Sequence, residues 1–595
     1  MASVTSRRAL ARLSAAARPR GSAPFATRRD APLRWLSSAV KDLPARDSRL
    51  FCVVGSGPAG MYAADRLLTH YGAAARVDIL DKSPVPFGLV RSGVAPDHAS
   101  TKSVTNRFES VLRDPRVGFF GNAALGRDVS VDDLAPRYHA VLLAYGASGD
   151  RTLGVPGEET LRGALSARRF VNWYNGDPEA HGDDDDEDEK KKGGALSLHD
   201  EITRCLTGND DAMGDDAEDV GSDDDVDASG KTTDSYEAEA SRARRSRAAV
   251  IFGLGNVALD CARILLRDPK DLRETDICAP ALRALERSVV DKVALVGRRG
   301  VAQAAFSPKE LRELLALPDV DVRVYDDAVA EADEADLEAS RPRRRAREAI
   351  EKRKAQGDAS GREARGSSGP SGSSGAGFQK KKKELSVRFL RSPASFAARD
   401  DDPTRLGSVV LEVNELRGPP GSRRAVGTGA TETIEGVALA LRSVGYRSTP
   451  PKETDRFAGG VPFDDRLGVV PNQHGRVTQT VPAEMGGDSW RVPGMYVVGW
   501  LKRGPRGIIG DNLADAEETV GALVADDARG TLRKPDYRFK DRGVAPVLEA
   551  RNVRFVSKRG WGRIDAEERR RGAEAGKPRE KLTSVAEMLR VAAEE

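Results

Sequence analysis

The chain has 595 residues, with 95 Lys and Arg against 92 Asp and Glu for a formal net charge of +3, and 39% of it is apolar. That length outgrows a single hydrophobic core and implies two or more domains, while the near balance of charge does not describe a nucleic-acid-binding chain, and no such partner is expected. No apolar run approaches the roughly 20 residues of a membrane-spanning helix, so the protein is expected to be soluble or at most peripheral to a membrane. Four cysteines, Cys52, Cys205, Cys261 and Cys278, are scattered without a C-x-x-C pair. Thiol–disulfide exchange and iron–sulfur ligation are thereby excluded, no metal site is expected, and any redox centre must be an organic cofactor.

Residues 1–46 are rich in Arg, Ser and Ala, with no acid before Asp30. This is the composition of an organellar transit peptide, read here as mitochondrial with cleavage before Asp47. Next comes FCVVGSGPAG, Phe51 to Gly60, an apolar strand running through a glycine turn into the helix MYAADRLLTHYG. Gly55 makes the tight turn, Gly57 lets the backbone approach a pyrophosphate, and Gly60 lets helix and strand pack. The strand RVDILD then ends at Asp81, where a carboxylate takes the hydroxyls of an unphosphorylated ribose, as in FAD or NAD.

An acidic, low-hydrophobicity stretch occupies about 181–247 and reads as a disordered insertion. A second fingerprint follows, AAVIFGLGNVALD, with Gly253, Gly255 and Ala258 in the glycine positions. Its next strand, KVALVGRRG, ends in Arg298 and Arg299 where an acid would select NAD. Two guanidiniums there suit a 2′-phosphate, hence NADP. A further charged stretch at about 326–383 reads as another disordered insertion.

RVDIL, HAVLLAYG, VALVGRRG, LSVRFLRSP, SVVLEVNEL, GVALALRSVGYRS and GMYVVGW are predicted strands between helical or loop segments, which defines a doubly wound α/β fold. The expected organisation is two Rossmann-like dinucleotide-binding domains, one inserted in the other. The FAD domain takes 47–148 and 445–595, and the NADP domain takes 149–444. Two such turns with opposite charge at the ribose position imply electron transfer between two cofactors.

Several long stretches resemble the adrenodoxin reductase family of NADPH-dependent ferredoxin reductases, which has a glutathione-reductase-like fold. They are GSGPAG, PVPFGLVRSGVAPDHASTKSV, GNAALGRDVSVDDL, VPGEE, ARRFVNWYNGDPE, GLGNVALDCARILL, VGRRGVAQAAFSPKELREL, GWLKRGPRGIIG and KPREKLTSVAEMLR. The resemblance implies FAD at Gly55, Gly57, Ala59, Gly60, Asp81, Leu89, Val129, Trp500, Gly507, Ile508 and Ile509. It implies NADP at Leu254, Gly255, Asn256, Val257, Arg298, Arg299, Glu310 and Gly507, and it singles out His98 for a catalytic role. In RPRRRAR, Arg343, Arg344 and Arg347 match a basic patch that docks an acidic mitochondrial [2Fe-2S] ferredoxin.

Three departures from the family pattern bear on the site. Asp81 stands where the family commonly has Glu, and Leu254 replaces a Gln. The family acid thought to pair with the histidine falls on Gly149 here, with Asp150 one place later. The expected function is a matrix reductase carrying electrons from NADPH through FAD to the ferredoxin. Rival readings are a glutamate-synthase small-subunit-like reductase, which would bring an N-terminal cysteine-rich region absent here, a flavin monooxygenase, and a degenerate flavoprotein serving as a scaffold.

Overall fold

The computed structural model describes residues 48–181, 196–208, 247–325, 336–337, 340–366, 382–451, 460–480, 489–536 and 543–594. The leader expected at 1–46 lies outside them. Among the described residues no helix is long and apolar enough to cross a membrane. All four cysteines are free and buried.

Two parallel sheets dominate, and each is built on one fingerprint. In the first, Arg49–Val54 pairs with Ala75–Leu80 on one side and with Ala140–Leu143 on the other, all parallel. Val117–Gly121 extends the first side, Ser489–Val497 the second, and antiparallel strands close both edges to give eight in all. The sheet is therefore made from both ends of the chain. Its central strand RLFCVV is buried along almost its whole length, the continuous apolar run that a strand covered on both faces requires.

The second sheet has six strands. Ala248–Phe252 lies between Lys292–Val296 and Val437–Arg442, again parallel. Lys383–Arg388 and Val320–Tyr325 continue one side, and Ala164–Ser166 ends the other. The predicted strand SVVLEVNEL forms, as Leu406–Arg417, outside both parallel sheets. It is the middle of an antiparallel three-stranded sheet with Arg391–Ala398 and Arg424–Glu435. Its alternation of buried and open residues fits a sheet packed on one face.

Both insertions require correction. Within 181–247, Leu198–Thr207 is a helix capped by Ser197, and it buries Leu198, Ile202, Cys205 and Leu206 in the core of the second sheet. Within 326–383, Leu337 is buried, and the helix Arg341–Gly366 contributes Ala346 and Ile350 to that same core. Mean composition concealed them, because one apolar residue per helical turn is enough to dock a highly charged helix. The rest of the expected disorder falls on residues outside the described set.

Candidate functional site

In each sheet the strand order reverses beside the fingerprint strand, which opens a crevice at the carboxyl ends of the strands. Gly55 has φ +112, and a Cβ there would lie 2.5 Å from the Ala144 carbonyl oxygen, the residue after the neighbouring strand. Gly253 repeats the device with φ +130, where a Cβ would run into the Ser443 carbonyl. Only glycine allows either turn to close on the strand across the crevice.

The helices behind these turns begin uncapped. Pro58–Tyr71 starts from Gly57 and Asn256–Leu266 from Gly255, with no side-chain cap and no acid in the first turn. Elsewhere Ser166, Ser307, Ser557 and Ser584 cap their helices through the serine hydroxyl. A Cβ on Gly57 or Gly255 would meet nothing within 4 Å, so open space stands before both turns. Among the described residues the amides of Gly57, Leu254 and Gly255 have no acceptor. Bare amides at a helix N-terminus facing open space fit a pyrophosphate.

Three further segments converge on the first turn. Gly88, with φ +47, brings the start of the short helix Leu89–Ser92 close enough that its Cβ would lie 3.1 Å from the Gly57 Cα. Gly499 adopts φ +74, and its Cβ would overlap that of Ala59, so Trp500 is carried to the crevice. Trp500 lies 5.2 Å from Tyr446, ring to ring, and its indole Nε1 is buried with no hydrogen-bond partner. Tyr145 Oη is buried and unpartnered too. Orphaned polar atoms beside uncapped amides are what a large heteroaromatic cofactor with hydrogen-bonding edges would satisfy.

Asp81 is folded back onto the turn. Its Oδ2 accepts from the Ser56 amide at 2.7 Å and the Ser56 hydroxyl at 2.5 Å, and its Oδ1 accepts from the Ser83 amide at 2.9 Å. Burial raises its pKa against the pull of these bonds. The shorter carboxylate thus fixes the turn. Val129 lies in the first-sheet core at 0% exposure, with its N–H and carbonyl both bonded within its own loop. Gly507 (φ +86) sits where a Cβ would strike the Asp511 carboxylate, and that carboxylate accepts the Ile508 amide at 2.8 Å. Gly507 and Asp511 line an open cleft with Arg503 and Arg506, while the Ile508 side chain is 68% exposed.

At the second turn Asn256 accepts the Ser307 amide through Oδ1 at 2.8 Å, and Leu254 packs on the core beside Val257. Arg298 and Arg299 are exposed and have no carboxylate partner among the described residues. Burial and then the charges of Arg298 and Arg343 lower the pKa of Arg299.

His98 faces a partner other than the expected one. Asp150 is bonded to Arg168 at 3.2 Å. His98 Nε2 instead lies 3.0 Å from Glu313 and 3.4 Å from Glu310, and Nδ1 lies 3.9 Å from Asp260. Asp260 is the last residue of the second fingerprint, one turn into its helix, and its pKa is pushed up to about 6 by burial, against the opposing pull of Arg263 and His98. Arg263, 1% exposed, bonds Asp97 at 2.6 Å and Asp260 at 2.7 Å. These ion pairs bind the loop that carries His98 to the helix of the second turn. Sequence reasoning missed Asp260, Arg263 and Glu313. Their signal was helical spacing, since Asp260 and Arg263, and likewise Glu310 and Glu313, stand three apart.

Of the basic residues, Arg344 is exposed and Arg347 donates to Glu351 at 2.7 Å, one turn along the helix.

Two doubly wound sheets, each with an uncapped glycine turn, define an oxidoreductase that carries two dinucleotides. The model of an NAD(P)-binding Rossmann-like domain matches residues 53–113. The NADPH:adrenodoxin oxidoreductase of Arabidopsis thaliana, a mitochondrial protein, is 40% identical over 546 residues, covering 91% of this chain and 95% of that protein. The mitochondrial human protein of the same name is 38% identical over 91% of each chain. The solved structure of Mycobacterium tuberculosis FprA in complex with NADPH superposes with a TM-score of 0.68 at 34% identity, covering 92% of this chain and all of the other. The chain belongs to the NADPH:adrenodoxin oxidoreductase family.

Proposed function

We propose that this chain takes a hydride from NADPH and passes the electrons through FAD, one at a time, to a small [2Fe-2S] ferredoxin in the mitochondrial matrix. The observation that carries the reading is the pair of uncapped glycine turns with opposite charge at their ribose positions, Asp81 in one and Arg298 with Arg299 in the other. In this reading the first sheet, 47–148 with 445–595, is the FAD domain, and 149–444 is the NADP domain. Residues 1–46 are a transit peptide.

The amides of Gly57, Ala59 and Gly60 would hold the FAD pyrophosphate, Asp81 its ribose, and Leu89, Trp500 and the Gly507–Ile509 turn its ring system. Those of Leu254 to Val257 would hold the NADP pyrophosphate. Arg298 and Arg299 would hold the 2′-phosphate, and Glu310, beside His98 and Arg263, would reach the nucleotide. Bound flavin supplies the exchange between a two-electron donor and a one-electron acceptor, so the chain needs no nucleophile. Its residues align the two ligands and exclude water, and Asp260, its pKa raised to about 6 by burial, stands beside the second turn with His98 3.9 Å away. Arg344 and Arg347 offer a face for an acidic partner, while Arg343 is half-buried on the inward face of the same helix.

The test is anaerobic titration of the FAD-loaded protein with NADPH and with NADH, followed by ferredoxin and cytochrome c. Bleaching of the flavin that favours NADPH, with cytochrome c reduced only when ferredoxin is present, is the expected result. Failure to bind or bleach flavin would return the scaffold reading. Bleaching without transfer to ferredoxin would mean the acceptor is wrongly named.

A further inference from the structure

We infer that Arg343 is a third guanidinium of the 2′-phosphate site, a positioning and specificity residue for the nucleotide; this rests on the NADP reading above. The helix Arg341–Gly366 packs on the turn Val301–Gln303, which begins two residues after Arg299. Arg343 lies on the same helical face as Ala346 and Ile350, both 3% exposed, so it is turned toward the body of the second sheet. Arg344 and Arg345, the next two residues, are exposed and turned away.

The start of this segment is pinned to that turn. Asp336, 3% exposed, accepts from Gln303 Nε2 at 2.8 Å and from the Gly421 amide, and Arg423 lies beside it at 3.5 Å. Gln303 in turn accepts the Gly300 amide at 3.1 Å. The segment carrying Arg343 is thus held in a fixed relation to the backbone that carries Arg299.

Arg298, Arg299 and Arg343 have no carboxylate partner among the described residues, whereas Arg347 and Arg353 on the same helix are bonded to Glu351 and to the Val320 carbonyl. The charge of Arg343 reaches Arg299 and lowers its pKa, after burial and Arg298. Three like charges without carboxylate partners, two of them acting on Arg299, repel one another and are relieved by a dianion. A phosphate monoester supplies close to two negative charges and three acceptor oxygens. A nucleotide with a free 2′-hydroxyl supplies none.

The experiment is calorimetric titration of FAD-loaded wild type, Arg343→Gln, Arg343→Lys and Arg345→Gln with 2′,5′-ADP and with 5′-ADP. Arg343→Gln is expected to weaken 2′,5′-ADP about tenfold, the lower end for a lost charge-assisted bond, and to leave 5′-ADP unchanged. Arg343→Lys should recover part of the loss, and Arg345→Gln should match wild type. Wild-type affinity for 2′,5′-ADP in Arg343→Gln would overturn the assignment, as would equal loss of both ligands, which marks a merely structural role. If wild type itself does not prefer 2′,5′-ADP, the NADP reading fails together with it.

Discussion

Gly255→Ala should separate nucleotide binding from folding. Gly255 has φ −110 and ψ 172, values open to alanine, and its added Cβ meets nothing within 4 Å. In the protein alone the methyl group is therefore unopposed. Alanine is a poorer N-cap than glycine but restricts the unfolded chain, and the two effects leave stability within about 1 kcal/mol of wild type. The open space the methyl enters is the space a pyrophosphate must use to reach the bare amides. Forcing an extra carbon into a packed contact costs about 1–3 kcal/mol, so the NADP+ dissociation constant should rise roughly 5- to 150-fold. Calorimetric titration with NADP+, alongside thermal unfolding and flavin content, measures both sides of the claim. Gly253→Ala is the contrast, because φ +130 and the Ser443 carbonyl oppose its Cβ in the protein itself, and it should fail as a fold. Wild-type NADP+ affinity in Gly255→Ala would refute the reasoning, since the turn would then not cradle a phosphate.

Glu568 has a fully buried side chain and accepts from Arg91 at 2.9 Å, from Arg579 at 2.8 Å and from the Leu582 amide at 3.1 Å. Glu568→Gln should cost about 3–5 kcal/mol at pH 7 in urea unfolding, because it strands two guanidiniums. Burial raises the Glu568 pKa, but Arg91 and Arg579 hold it net below the ordinary value, so this stabilisation is present above pH 4.3 or so and fades as pH falls, narrowing the gap to the variant. Burial, then repulsion by Lys581, lowers Lys102 to about 7. From there to about pH 10.4 the unfolded chain binds more protons, so stability should rise with pH. Urea midpoints at pH 7 and 9 should climb less in Lys102→Gln than in wild type, and equal slopes would discount the lysine. Arg344→Glu combined with Arg347→Glu should raise the KM for ferredoxin roughly tenfold at low ionic strength, with the difference shrinking in high salt and flavin reduction by NADPH unchanged.

Both fingerprints were legible because their constraints are local: a strand, a glycine that alone fits a positive φ, and a helix start, all contiguous in sequence. The seven predicted strands all form for the same reason, period and β-branched content. What stayed hidden was set by packing between distant segments. Asp150 sits next to the position the family pattern indicates, yet Arg168 claims it, and the groups facing His98 come from two helices far along the chain. The docked helices at 198–207 and 341–366 were masked by charged neighbours that dilute their few apolar residues. Asp81 was readable as an acid at the end of the second strand. Its grip on Ser56 was not, because that depends on one methylene of reach.

The first sheet draws strands from both ends of the chain, and this sets an order of events during synthesis. Ala140–Leu143, buried throughout, pairs with Ser489–Val497, so Val141 meets Met495 only after the whole intervening domain has been made. Until then a nascent chain presents an apolar strand with one row of backbone donors and acceptors open, the kind of edge on which chains aggregate. Of its neighbours in the second sheet, Ala248–Phe252 finds Lys292–Val296 within the next few dozen residues. A chain that stops short of Ser489 would keep the first glycine turn and leave that edge open.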